Sequence, residues 1–240
     1  MQTEALTKRI LAQIVTLIEE RNYLPGERLP SERELSERFG VGRGVIREVL
    51  SILENLRYLQ RRPNSGIYLT PTPERISLEA LSLFSHLGIG LSADKVSQAI
   101  EVRRLIEVQA VGLACQRRTD DDLDALAGVV DQFDHAIRHN PGEVATLDYE
   151  FHMALFKATK NVVLTQLVNP FYVMSADRRK TFFADPERGR ISNEQHRQIL
   201  QCVYRQDTAN AQALMTQHIG RVESLAYVYG IDTTAVPSRS

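Results

Sequence analysis

The chain has 240 residues, 43% of them apolar and 25% charged, with a formal net charge of −1. That balance excludes disordered, collagenous and disulfide-stapled chains and leaves room for two cored domains. No window approaches eighteen apolar residues, and the start, MQTEALTKRI, is amphipathic rather than a signal series, so cytoplasmic residence with no membrane partner is expected. Cys115 and Cys202 lie far apart in sequence and outside any C-x-x-C pair, and are expected to be reduced thiols.

From Thr3 to Glu20, Leu6, Ile10, Leu11, Ile14, Leu17 and Ile18 recur at helical spacing, which predicts a first helix. Leu24-Pro25-Gly26 ends it. Ser31 and Glu34 have the spacing of a capping box and open a second helix that runs to about Phe39. Gly40-Val41-Gly42 is a glycine-bearing turn, and a third helix, roughly Arg43 to Leu56, buries Val45, Ile46, Val49, Leu50, Ile52 and Leu53. Two helices joined by such a turn form a helix-turn-helix, whose second helix reads the major groove with its N-terminal residues. Arg43, Gly44 and Arg47 occupy that end, and arginine can bond guanine O6 and N7 together. The bland alternative pairs Arg47 with a nearby glutamate such as Glu48 or Glu54.

Tyr58 to Arg62 and Ile67 to Leu69 read as a hairpin, or wing, turned at Pro63-Asn64-Ser65-Gly66. Asn64, Ser65 and Gly66 at its tip are candidates for a neighbouring groove or phosphate, with plain solvent exposure the equal alternative. Charge supports the DNA reading. Five arginines (43, 47, 57, 61, 62) face two acids (Glu48, Glu54) between Arg43 and Arg62, whereas the molecule as a whole is nearly neutral.

The stretch from Leu24 to Leu35, LPGERLPSEREL, with Phe39-Gly40-Val41, Arg43, Arg47-Glu48-Val49-Leu50, Leu53 and Gly66, resembles the N-terminal domain of GntR-family winged-helix transcription regulators. The resemblance implies DNA contacts at Arg33, Arg43, Arg47 and Gly66; Arg33 enters on that ground alone. The chain departs from the pattern at Gly42, commonly serine, and at Gly44, commonly threonine or another side chain. Phosphate contacts at this helix start then rest on backbone N–H groups.

Thr70-Pro71-Thr72-Pro73 reads as a connector. The expected organisation is a DNA-binding domain at 1–70, a linker at 71–76, an all-α domain at 77–232 and a disordered tail at 233–240. Helices are expected at Ser77–Leu87, Ser92–Arg117, Thr119–His139, Glu143–Thr159, Asn161–Phe183, Pro186–Arg205 and Thr208–Tyr229, separated by glycine, proline, asparagine and aspartate breaks. The fold class is mostly α: a winged helix-turn-helix followed by a helical bundle.

Asp148 and His152 are four residues apart on one helix face and can grip one ion. His196 and His218 stand beside apolar residues that turn them inward, although a lone histidine there is more often a hydrogen-bonded core residue. His135 and His139 repeat the spacing amid polar neighbours and read as surface. The segments EVRRLIE (101–107), DYEFH (148–152), NVVL (161–164), EQH (194–196) and MTQH (215–218) resemble the FCD ligand-binding domain of the FadR subfamily of GntR regulators. In metal-containing members one Asp and three His hold a divalent ion. The resemblance places Asp148, His152, His196 and His218 there and implies zinc, nickel or manganese.

One carboxylate and three neutral imidazoles around a divalent ion leave a charge of +1, which suits an anion. The resemblance implies a small organic acid as effector, with Arg103 as its carboxylate clamp; an ion pair with Glu107 is the alternative for Arg103. The leading expectation is a homodimer on an inverted-repeat operator in double-stranded DNA, biased by a carboxylate effector. A purely structural metal and a metal-dependent hydrolase stand as alternatives. The absence of H-E-x-x-H and a fourth protein ligand weigh against the hydrolase, and the full metal set weighs against a fatty-acyl-responsive branch.

Overall fold

The computed structural model describes residues 2–224. Among them are eleven α-helices and one three-stranded sheet. The chain divides into two compact units between Leu91 and Ser92. The end of the last expected helix at Tyr229, the limit of the bundle at 232 and the tail at 233–240 lie outside the described residues.

In the first unit, α1 (Gln2–Glu20) buries Ile10, Leu11, Ile14, Val15, Leu17 and Ile18 along one face. The helix α2 (Glu32–Phe39) opens on the expected capping box: Glu34 N donates to Ser31 Oγ at 3.3 Å, and Ser31 N donates to Glu34 Oε2 at 2.8 Å. It closes at Gly40, whose φ of +64° is the left-handed turn that glycine enters without a Cβ penalty. The helix α3 (Arg43–Asn55) buries Ile46, Val49, Leu50 and Leu53, with Val45 and Ile52 half-buried at the edge.

The wing is β2 (Leu59–Arg62) paired with β3 (Gly66–Leu69), in the antiparallel register Leu59↔Leu69 to Arg62↔Gly66. A third strand, β1 (Arg28–Leu29), lies on the other side of β3. Two residues show no period, so this strand has no signature in the sequence.

The stretch read as a linker at 71–76 holds a 3-10 turn, Pro73–Arg75, followed by α4 (Leu78–His86). Ser77 N donates to Leu56 O at 3.0 Å, Phe84 meets the Tyr58 ring edge-on at 4.8 Å, and Ala80, Phe84 and Ile89 join the winged-helix core. The first unit therefore continues past 70 to Leu91. The prolines mark where the chain bends; they do not say which core the next apolar residues enter.

The second unit is helical throughout its described residues: α5 (Ala93–Arg117), α6 (Asp120–His139), α7 (Val144–Ala158), α8 (Val162–Met174), α9 (Ala176–Phe182), α10 (Pro186–Tyr204) and α11 (Thr208–Ser224). Ser92, Thr119, Asn161 and Asp185 accept from the first-turn N–H groups of α5, α6, α8 and α10. One core gathers Val111 and Ala114 of α5, Leu126 of α6, Phe151 of α7, Ile199 of α10 and Met215 of α11. Cys115 and Cys202 also meet, with Cys115 Sγ 4.0 Å from Cys202 O; both are free thiols, and burial pushes Cys115 up to about 11.

The single helix expected over Asn161–Phe183 is two helices parted at Ser175. Pro170 inside α8 cannot donate to the helix ladder. Arg179 of α9 donates from Nη1 to Tyr172 O beside the break at 3.1 Å and from Nε to Ala145 O in the first turn of α7 at 2.8 Å, tying the junction to α7. Among the described residues no helix is long and apolar enough to cross a membrane.

Candidate metal centre and nucleic-acid interface

Three bundle helices carry the expected ligands to one point. Asp148 and His152 project from α7, His196 from α10 and His218 from α11, all four are buried, and one ligand atom from each lies within 4.8 Å of all the others. His218 Nε2 is 3.2 Å from His152 Nε2 and 3.3 Å from His196 Nε2, while Asp148 Oδ1 is 3.9 Å from His152 Nε2 and 3.6 Å from His196 Nε2. Ligands about 2.1 Å from a common ion stand roughly 3 to 3.5 Å apart when adjacent, close to these spacings.

The surroundings decide which nitrogens face the centre. Gln195 Oε1 lies 3.0 Å from His218 Nδ1 and also accepts from Arg221 Nη1 at 2.7 Å. An oxygen can only accept, so the His218 proton sits on Nδ1 and its Nε2 lone pair is turned inward. Glu107 Oε2 lies 2.5 Å from His152 Nδ1, with the same consequence. That contact falls outside regular hydrogen-bond angles, yet neither atom has another hydrogen-bond partner, and the short separation identifies them as a pair. His196 stacks on Phe151, ring centroids 3.9 Å apart, and its Nδ1 has no hydrogen-bond partner. Burial first, then the neighbouring imidazoles, hold His196 and His218 well below the usual imidazole range. The outer acceptors on His152 and His218 leave their Nε2 atoms, 3.2 Å apart, turned toward each other and toward Asp148 and His196, a donor set that fits a divalent cation.

Arg103 of α5 stands behind this centre and is 8% exposed. Its Nε donates to Glu107 Oε1, its Nη2 donates to Tyr172 OH at 2.8 Å, and Tyr172 OH donates to the same Oε1 at 2.6 Å. Burial alone would raise the Glu107 carboxyl, but the charge of Arg103, with the contacts from His152 and Tyr172, holds it far below the carboxylate range. The same Arg103 lines a cavity of about 60 Å³ with Asp148, His218, Arg178 and Arg179, and Ile100, Phe171 and Phe182 supply apolar wall. Arg103 therefore makes the ion pair with Glu107 that was weighed for it, and it also lines the cavity.

In the first unit the start of α3 is bare. Its cap residue Gly42 makes no side-chain hydrogen bond, nothing lies within 4 Å of a Cβ built on Gly42 or Gly44, and Arg43 is exposed. Arg47 Nε is 2.8 Å from Glu32 Oε2, so its partner is neither of the neighbours weighed from sequence. Glu54 instead takes Arg61, from Nε at 2.8 Å. Arg33 is exposed, with Nε 3.7 Å from Glu37 Oε1. At the wing tip Asn64 is exposed at φ +55°, Ser65 Oγ shares a hydrogen bond of 2.7 Å with Tyr68 OH, and Arg62 lies 4.1 Å over the Tyr68 ring. His135 and His139 are exposed, as read.

The family model described as "Bacterial regulatory proteins, gntR family" matches residues 6–69, and the FCD domain model matches residues 98–221. The chain belongs to the GntR family. It is a transcription regulator with a GntR-type DNA-binding domain and an FCD effector-binding domain. The Bacillus subtilis HTH-type transcriptional regulator LutR is 28% identical over 219 residues, covering 89% of this chain and 97% of its own. A putative L-lactate dehydrogenase operon regulatory protein of Escherichia coli is 24% identical over 91% of this chain and 85% of its own, and the Haemophilus influenzae Uxu operon regulator is 27% identical over 84% and 74%. A solved Listeria monocytogenes protein, titled as Lar controlling expression of the agr system, superposes with a TM-score of 0.66 at 17% identity, covering 93% of this chain and 97% of its own, a likeness of fold. These relatives are transcription regulators rather than enzymes, which removes the hydrolase alternative.

For this GntR regulator, sequence reasoning reached the four converging side chains and Arg103 but missed Tyr172, Gln195, Arg178 and Arg179. Glu107 was legible only as the i+4 neighbour of Arg103. A glutamine one residue before a candidate ligand, as Gln195 precedes His196, has no periodic signal, because the imidazole it serves comes from a different helix.

Proposed function

We propose that this regulator senses a small carboxylate through a divalent metal ion and, as a homodimer, binds an inverted-repeat operator in the cytoplasm. The observation that carries the reading is the convergence of Asp148, His152, His196 and His218 beside a cavity walled by Arg103, Arg178 and Arg179. Zinc, nickel or manganese at the four donors would supply a Lewis-acidic positive charge facing that cavity. A carboxylate group is the natural counter-charge, and the compact cavity is sized for a short acid rather than a long acyl chain. The relative named for an L-lactate dehydrogenase operon agrees with a small-acid effector.

On DNA, Arg43 and Arg47 would reach base edges from α3, and the bare N–H groups at Gly44 and its neighbours would receive a phosphate. Arg33 would add a contact from α2, and Asn64, Ser65 and Gly66 would place the wing. Arg103, anchored by Glu107, would meet the effector from the cavity wall. Elemental analysis of the purified protein and gel retardation of its own promoter fragment, with and without short hydroxy acids, test this reading. Stoichiometric metal and acid-dependent retardation are expected. Absence of metal, or retardation lacking at low salt in every ligand state, would overturn it.

A further inference from the structure

Glu107 turns its two carboxylate oxygens to different tasks. Oε1 accepts from Arg103 Nε and from Tyr172 OH at 2.6 Å, while Oε2 lies 2.5 Å from His152 Nδ1. Glu107 is 1% exposed and His152 fully buried, so solvent does not compete for either group. We infer that Glu107 is a positioning residue of the metal centre: it keeps the single proton of His152 on Nδ1 and the Nε2 lone pair aimed at Asp148 and the other two imidazoles. This rests on the metal reading above. A neutral imidazole carries one N–H, and a carboxylate can only accept, so the contact selects one tautomer. Gln195 does the same for His218. The same carboxylate also anchors Arg103, so retention of the ion and the shape of the effector wall depend on one side chain.

The variant Glu107→Gln separates this role from simple packing. Arg103 and Tyr172 both donate toward the Oε1 position, so the amide oxygen stays with them and the NH₂ turns toward His152 Nδ1. The ring is then driven to the Nε2–H tautomer, whose proton points into the centre and blocks ligation.

Two measurements on the full-length chain read the outcome. Long-range ¹H–¹⁵N spectra of the metal-free protein report the His152 tautomer, and chelator competition reports affinity for Zn²⁺ alone. Expected are a proton on Nδ1 in the wild type, a proton on Nε2 in Glu107→Gln, and a loss of zinc affinity of about 10- to 100-fold, the usual effect of removing a partner that orients a ligand. Tyr172→Phe, which leaves Oε2 in place, should keep the Nδ1–H tautomer. Should Glu107→Gln fail to fold, Glu107→Ala with Arg103→Met removes the whole ion pair, and the same loss of affinity is expected. Wild-type zinc affinity in Glu107→Gln or, should that variant not fold, in Glu107→Ala with Arg103→Met, or an unchanged tautomer in Glu107→Gln, would overturn the inference while leaving the metal reading intact. Failure of the wild type itself to bind zinc or any other divalent ion would overturn both.

Discussion

Arg47 Nε stands 2.8 Å from Glu32 Oε2, so one of the two α3 arginines proposed as base readers is tied to the first turn of α2. The pair is solvent-exposed on the arginine side and offers little stability. For the proposed DNA contact the consequence is competitive: DNA would have to draw the guanidinium from a carboxylate before using it. Glu32→Gln is expected to tighten binding of any DNA, specific or not, whereas Arg47→Ala should cost about 1–3 kcal/mol on the operator and relax discrimination at one base pair. Fluorescence anisotropy on operator and scrambled duplexes checks both. An Arg47→Ala loss that is equal on the two duplexes would make the residue a phosphate contact.

Gly66 begins β3 at φ +134°, a conformation that side chains rarely adopt, and a Cβ there would sit 3.0 Å from Arg28 Nε. The arginine is flexible and can withdraw; the backbone cannot. Gly66→Ala is therefore expected to destabilise the first unit by about 1–3 kcal/mol. It should also displace the wing, weakening operator binding while leaving effector-induced stabilisation unchanged. Urea titration paired with gel retardation distinguishes this from a variant that merely loses a DNA contact.

Arg179 closes the break between α8 and α9, and burial, the leading influence, pulls its guanidinium below the usual range. Arg179→Met keeps the apolar stem but leaves Tyr172 O and Ala145 O without this donor. Two part-buried acceptors losing a charged donor should cost about 2–4 kcal/mol. Hydrogen exchange should rise first around residues 172–182. Protection unchanged there would mean that packing of Phe182 and Phe183, not the cap, holds the junction.

What could be read from the chain alone follows the range of the forces involved. Caps at Ser31 and Thr119, the turn at Gly40 and the apolar stripe of α3 are local, so their residue types announce them. Asp148 and His152 share a helix face and are legible from spacing, whereas His196 and His218 read only as inward-facing histidines until the family resemblance joined them to the set, since helix period says nothing about which helices become neighbours. The strand at Arg28 and Leu29, the attachment of α4 to the winged-helix core, the break at Ser175 and the Glu107–His152 contact all depend on partners distant in sequence. A buried glutamate beside an arginine reads as an ordinary i+4 pair until the fold brings a histidine to its other oxygen.

Acid should unfold the metal-free protein in two stages, and the sign follows from the depressed rings. His196 and His218 stay neutral in the fold, while the unfolded chain protonates them below about pH 6.5. Stability from these rings is thus fully present above that pH and is lost as pH falls below it, at up to about 1.4 kcal/mol per pH unit for each ring. Glu107, held ionised in the fold, contributes above about pH 4.3, and its contribution is lost as pH falls through its depressed native value. Urea unfolding of chelator-treated protein between pH 8 and 5 should show the first stage. Its slope should fall by about half in His196→Phe, which keeps an aromatic ring against Phe151 without a titrating nitrogen. With metal bound, the loss should begin at lower pH, since ligation opposes protonation of the same nitrogens. Stability that stays flat from pH 8 to 5 in the metal-free protein would mean that these rings are not buried as neutral donors, and the case for the four as a ready-made cation site would fall with it.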